Sequence, residues 1–220
     1  LRVMDTESGC AFIEVNSKGQ NRIIVSAGTN RMYTEEYIKN VLEKAEAGDF
    51  VLLQNEINMV GEIIRLSHEK GCRVVFNASP IPGKPEELPL ELVDIFMVNE
   101  LEAADLAGTS TEGDFRDILK ALQKKYPKAA IVMTLGKEGV FYGYKEEFYS
   151  HPIFKVNAVD TTAAGDTFCG YFLAALCAEK SVETALREAS AASAMAVSAK
   201  GAAPSIPVHS AVEEWLCGRS

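Results

Sequence analysis

The segment NAVDTTAAGDTFCGYF, Asn157 to Phe172, sets two aspartates, Asp160 and Asp166, around a run of small residues and passes directly into an apolar helical pattern. At a helix start several amide N–H groups have no intrahelical partner, and that end of the helix is electropositive. Ala163, Ala164 and Gly165 have almost no side chain to shield such amides, so an anion could rest directly on them. Asp166 sits awkwardly there, because a carboxylate repels a phosphate unless it has a task. The natural task is to accept the proton of an attacking hydroxyl. The competing reading makes Asp166 a first-turn cap and the small residues mere packing, and spacing alone leaves the two equally open.

The elements that must carry this segment follow from hydrophobic periodicity. CAFIEVN and RIIVSAG alternate apolar and polar residues around SKGQ, which predicts a hairpin from Cys10 to Gly28 with one exposed face. Tyr37, Ile38, Val41, Leu42 and Ala45 form a helical stripe before the short apolar run FVLLQN. A second helix, around Ile57 to Leu66, leads to CRVVFNA, and the proline-rich loop SPIPGKPEELP leads to DIFMVNE. Phe115, Ile118, Leu119 and Leu122 recur at helical spacing before AAIVMTLG. Nearly continuous apolar strands between amphipathic helices predict a mostly parallel sheet covered on both faces, a three-layer α/β/α arrangement. GVFYGYKEEFYSHPIFKVNAVD then predicts two or three antiparallel strands. The helix from about Ala164 to Leu176 is expected to be capped by Thr162 or the small residues beside it. A second helix, Val182 to about Ala199, is rich in Ala and Ser, which permits close approach to a neighbour or a flat ligand, and a third spans Val208 to Leu216.

Ligands of such sheets bind beyond the carboxyl ends of the strands. Those ends carry Asn55 and Glu56, Asn77, Asn99 with Glu100 and Glu102, Thr134 to Gly136, and Asp160. Each alone reads as a cap or turn residue. Together they suggest a polar crevice.

Composition narrows the function classes. The chain has 220 residues, 47% of them hydrophobic, enough to bury a substantial core. Its 22 basic and 31 acidic residues give a formal charge of -9, with no basic stripe suited to a nucleic-acid backbone, so no nucleic-acid partner is expected. No apolar run has the length of a membrane span, and no membrane partner is expected. Cys10, Cys72, Cys169, Cys177 and Cys217 are odd in number and scattered, which fits reduced thiols in a cytoplasm. His68, His151 and His209 lack metal-site spacing.

DTTAAGDTF closely resembles the carboxyl-terminal signature of the ribokinase-like (pfkB) carbohydrate kinase family. GQNRIIVSAGTN resembles the family's lid strand and the segment after it, VNELEA its Asn-x-x-Glu motif, MTLGKEGV its nucleotide-side glycine segment, and KGAAPSIP the loop closing the nucleotide and cation region. The resemblance covers essentially the whole chain, and the order and spacing of the motifs are more specific than any one of them. The family has no Walker-type GxxxxGK[ST], and neither has this chain.

The resemblance implies ATP-dependent phosphorylation of the primary hydroxyl of a sugar, D-ribose to ribose 5-phosphate in the first place. Another sugar or a nucleoside as acceptor, or a noncatalytic nucleotide-binding fragment, are the alternatives. It implies Asp166 as general base, also touching the sugar, and the amides of Ala163, Ala164, Gly165 and Asp166 as an anion hole. Glu56 corresponds to an acidic residue of the sugar pocket. Asn99, Thr134, Gly136 and Ser190 fall at nucleotide-side positions, Ser190 where many relatives carry a larger polar residue. Glu102 pairs with Asn99 in organising Mg2+, its waters and phosphate. Asp160, Thr162, Ala196, Ala199, Gly201 and Ser205 match positions around a monovalent cation, K+.

The resemblance further implies a partial β lid over residues 1–30 and a catalytic core over 31–220 that lacks its N-terminal part. The chain opens at Leu1, without Met, inside what resembles the second half of the lid. It is therefore expected to be a fragment or truncated product whose central sheet exposes apolar edges. The lid, with Phe12, Ile23 and Val25 on one exposed face, is expected to pair with that of a second subunit in a cytoplasmic homodimer.

Overall fold

A computed structural model describes residues 4–15 and 21–219. The SKGQ turn and Leu1 lie outside them. The chain divides into two compact units, residues 1–94 and 95–220. The fold is three-layer α/β/α, with a mixed, mostly parallel sheet in the order β3-β4-β5-β6-β7-β8 and a two-stranded sheet, β1-β2.

The first unit opens with β1 (Cys10–Val15) and β2 (Asn21–Ser26), paired antiparallel. Their register corrects the expectation of one apolar face. Ile13 stands opposite Ile23 and Ala11 opposite Val25, whereas Phe12 stands opposite Ile24. Directly opposed residues share a face and successive residues alternate, so Phe12 lies on the other side of the ribbon from Ile23 and Val25. Both faces are open, Phe12 at 64%, Ile13 at 58%, Ile23 at 53%, Ile24 at 51% and Val25 at 69% exposure.

Helix α1 (Glu35–Leu42) starts where the Thr34 side chain accepts a hydrogen bond from the Tyr37 amide, and it ends before Ala45. Strand β3 (Phe50–Gln54) pairs parallel with β4 (Arg73–Asn77). Between them α2 (Val60–Glu69) begins three residues later than the apolar spacing predicts, because Met59 takes a left-handed conformation at its N-cap. Val74, Val75 and Phe76 of β4 are fully buried, as a strand covered on both faces must be. Leu52 of β3, at the end of the sheet order, is 44% exposed.

The second unit holds β5 (Ile95–Asn99) and β6 (Ala130–Thr134), parallel and almost wholly buried, then β7 (Val140–Tyr144) and β8 (Glu147–His151), both antiparallel. Residues 152–163 form no strand, so the antiparallel extension has two strands, and the segment before Ala164 arrives as loop. Helices α3 (Glu100–Ala107) and α4 (Phe115–Lys125) lie between β5 and β6 in sequence, α4 capped by the Asp114 carboxylate on the Arg116 amide. Then come α5 (Ala164–Cys177), α6 (Val182–Val197) and α7 (His209–Cys217). Ala185, Ala189, Ala192 and Ala196 of α6 are fully buried, and side chains that small let α5 approach closely. Phe172 of α5, Leu186 of α6, Phe96, Leu122 and Met133 are all fully buried.

Candidate active site

Two strand ends and the loops around α5 and α6 carry the residues singled out in the sequence of the second unit. The first two are neighbours by register: Asn99 ends β5 and Thr134 ends β6, and the two are direct Cα partners in the parallel ladder. Asn99 is also the N-cap of α3. Its Oδ1 accepts from the Glu102 amide at 2.9 Å while Glu102 Oε2 accepts from the Asn99 amide at 2.8 Å, a reciprocal capping box. The Asn-x-x-Glu spacing thus has a local structural cause whatever it binds, and it holds a carboxylate at the carboxyl end of β5.

Beyond Thr134, Leu135 donates to the Gly139 carbonyl and accepts from Glu138 around a single 3-10 turn, Gly136–Glu138. Two glycines make this turn possible. Gly136 has φ 50°, and Gly139 has φ 99° with the His151 carbonyl oxygen 2.2 Å from where a Cβ would stand. The result is a tight backbone loop beside Asn99 with no side chain at Gly136.

Asp160 and the loop after α6 come together as the sequence suggests. One Asp160 oxygen accepts from the Thr162 amide and the other from the Gly201 amide, each at 3.0 Å. The Val159 and Asp160 amides both donate to the Val197 carbonyl, at 2.7 and 3.1 Å. Hydrogen bonding from the Thr162 side chain, then from the Thr162 and Gly201 amides, brings the Asp160 pKa down to about 2. Ser205 is buried and its hydroxyl donates to the Ala202 carbonyl at 2.8 Å. The Ala196 carbonyl accepts from the Ala199 amide at 3.1 Å, and Ala196 is buried while Ala199 is exposed. The oxygens gathered here are one carboxylate, backbone carbonyls and hydroxyls. Among the described residues no three His, Cys, Asp or Glu side chains cluster as metal ligands. Hard, mostly neutral oxygens fit an alkali cation and do not fit zinc.

The start of α5 takes the second of the two expected caps, a small residue in place of Thr162. Ala163 is the N-cap, left-handed at φ 60° and ψ 11°, with no side-chain cap, and the Ala164 amide makes only a long 3.3 Å contact with the Thr161 carbonyl. A Cβ added at Gly165 would meet nothing within 4 Å. Asp166 is the third residue of the helix and is exposed. The Ala163 backbone conformation is costly for a residue with a Cβ, about 1 kcal/mol or more. Uncovered amides and a first-turn carboxylate on one short arc can bind a phosphoryl group and take up a proton beside it.

Ser190 lies half-buried on α6. Glu56 belongs to the first unit, exposed in the turn after β3. That turn is held by Asn55, whose Nδ2 donates to the Pro80 carbonyl at 3.0 Å, and by Asn58, which accepts from the Tyr33 amide and donates to the Tyr33 carbonyl at 3.0 and 2.8 Å. The sequence reading passed over two supporting residues. Ser193 Oγ donates to the Ala164 carbonyl at 3.0 Å, and the Tyr171 hydroxyl donates to the Pro207 carbonyl at 2.6 Å. The only sign of Ser193 in the sequence is a hydroxyl among alanines.

Against known proteins, the model of the pfkB family carbohydrate kinases matches residues 1–209. The Haemophilus influenzae ribokinase is 36% identical over 213 residues, covering 95% of this chain and 69% of that protein. The crystal structure of the Thermotoga maritima ribokinase aligns with a TM-score of 0.83 at 35% identity, over 97% of this chain and 71% of the other. An Arabidopsis thaliana ribokinase complexed with ribose and ATP aligns with a TM-score of 0.81 at 31% identity, over 96% and 70%. Among the described residues no helix is long and apolar enough to cross a membrane.

Proposed function

Because the chain belongs to the pfkB family of carbohydrate kinases, an ATP-dependent family, we propose that it transfers the terminal phosphoryl group of ATP to the primary hydroxyl of D-ribose, giving ribose 5-phosphate. The observation that carries this reading is the start of α5, where Asp166 stands in the first turn beside amides that no side chain caps. Asp166 takes the proton of the attacking hydroxyl. The amides of Ala163, Ala164, Gly165 and Asp166 face the charge that develops on the transferring phosphoryl oxygens, in a site preorganised by the helix. Glu56 contributes to the sugar side. Asn99, Thr134 and Gly136 line the phosphate side and Ser190 the base side of the nucleotide.

Glu102 would hold Mg2+ through its waters, and Asp160, Thr162, Ala196, Ala199, Gly201 and Ser205 would surround K+. When bound, the divalent ion supplies charge neutralisation on the phosphates and the monovalent ion fixes the loop behind the anion hole. Asp160 ties that loop to residues 159–162 through the Gly201 amide, which supports a preformed place for the cation. We further assign the lid as a homodimer contact and the enzyme to the cytoplasm, consistent with five cysteines that are all free thiols.

The test is ADP release by the whole chain with MgATP and D-ribose, in potassium, sodium or lithium at constant ionic strength. Release that requires ribose and is fastest in potassium is the expected outcome. Release with a nucleoside or another sugar but not with ribose would replace the acceptor. Equal rates in the three ions would remove the K+ assignment.

A further inference from the structure

We propose that Ser193 is a positioning residue for phosphoryl transfer, holding the first turn of α5 against α6 through the hydrogen bond from its Oγ to the Ala164 carbonyl. This rests on the reading of the α5 start as the phosphoryl site. Ala164 is the first residue of α5. Its N-cap, Ala163, sits in a left-handed conformation disfavoured for alanine and offers no capping side chain. An ordinary Ser, Thr, Asp or Asn cap would occupy one of the free amides. Here the N-cap supplies no such side chain, and a restraint comes from the carbonyl side, across a 3.0 Å hydrogen bond to a different helix.

Position matters on α6. Ala189, Ala192 and Ala196 are fully buried, and Ser193 is half-buried among them. Small neighbours bring the α5 backbone close enough for a side chain as short as serine to reach a main-chain oxygen. The bond uses the second lone pair of a carbonyl within the α5 ladder, so it occupies none of the amides at the helix start. It fixes where α5 begins relative to α6, and with it the placement of the Gly165 and Asp166 amides and of the Asp166 carboxylate two residues on. A small misplacement of such groups is expected to show in turnover more than in substrate binding.

The experiment compares the whole chain with Ser193→Ala and Ser193→Thr by amide hydrogen exchange and by steady-state kinase assay. Alanine is the better helix former, so α6 keeps its fold in Ser193→Ala. The Thr167 amide, which donates to the Ala163 carbonyl, and the Phe168 amide report opening of the first turn. In Ser193→Ala these amides are expected to exchange roughly three- to tenfold faster, the scale of one lost hydrogen bond, with the rest of α5 unchanged. kcat is expected to fall by a similar factor while the KM for ATP stays within about twofold. Ser193→Thr, which keeps the hydroxyl, restores both. An active parent whose exchange or kcat is unchanged in Ser193→Ala overturns the positioning role alone. A parent with no phosphotransfer to any sugar or nucleoside overturns the underlying reading, and the positioning role with it.

Discussion

Asp166 and Asp160 are six residues apart in one loop-helix segment, and their surroundings give them different work. Asp160 is saturated by amides, with two donors already on its oxygens, and its low pKa follows from them. Its folded value, about 2, lies below the ordinary 3.8, so the grip of Asp160 on Gly201 is fully present above pH 3.8. That grip is lost as pH falls through about 2. The Asp160 carboxyl carbon, followed by NMR, should therefore titrate near 2, and a midpoint near 3.8 would mean that the two amide bonds do not persist in solution. Asp166 instead occupies a turn whose neighbours are small. Replacing it with Asn keeps the shape of the first turn and removes the base. Asp166→Asn is expected to lower turnover by at least about a hundredfold while calorimetric ATP binding is largely kept. Near-normal turnover would take Asp166 out of the base role. Both aspartates were legible as candidates in the sequence. The resemblance implied a base role for Asp166 and a cation role for Asp160, whereas the hydrogen bond by which the Gly201 amide, 41 residues further along the chain, engages Asp160 was not legible.

Helices α5, α6 and α7 act as the mount for the site. Ser181 caps α6 on the Thr184 amide, and Lys180 pairs with both oxygens of Glu188 at 2.7 and 2.9 Å. The ring of Tyr171 stacks parallel to His209 at the start of α7, with centroids 6.4 Å apart. Burial, with the charge of Glu188 nearby, raises the Tyr171 pKa, so its hydroxyl remains a donor to the Pro207 carbonyl. The loop from Gly201 to Pro207 is thereby tied at one end to Asp160 and at the other to α5. Tyr171→Phe removes the second tie without emptying the ring's place. A stability loss of about 1 kcal/mol is expected, seen as a lower urea midpoint at unchanged slope. An unchanged midpoint would show that the bond contributes nothing net. The caps of α1, α3, α4 and α6 are Thr, Asn, Asp and Ser, of which only Asn99 was singled out in the sequence. The α5 cap was left open between Thr162 and the small residues beside it, and the structure has Ala163 there, with the Thr162 amide turned to Asp160.

For the whole molecule, the ribbon register sets the terms of the proposed dimer. Ala11, Ile13, Ile23 and Val25 form one apolar face, and Phe12 with Ile24 belongs to the other. If the dimer closes on the first face, Asp substitutions at Ile23 and Val25 together will dissociate it, whereas Phe12→Asp will leave it intact. Sedimentation equilibrium of the parent and both variants decides this. A monomeric parent at micromolar concentration would overturn the lid contact, and dissociation by Phe12→Asp alone would move it to the opposite face.

The sequence by itself determined the alternation of strands and helices, the order of the motifs and most helix starts. These depend on side chains a few residues apart, on periodicity, caps and turn glycines, all of which are local. It also carried the family, because several short motifs in fixed order are far more specific than any one. Only the tertiary structure decided which distant groups meet. Ser193 finds the Ala164 carbonyl across 29 residues and Tyr171 finds Pro207 across 36, and neither partner announces itself, since every backbone carbonyl looks alike in sequence. The face to which Phe12 belongs was likewise settled by strand register: a shift of one residue in pairing exchanges the two faces of a ribbon, and alternation that is apolar on both sides cannot say which register holds.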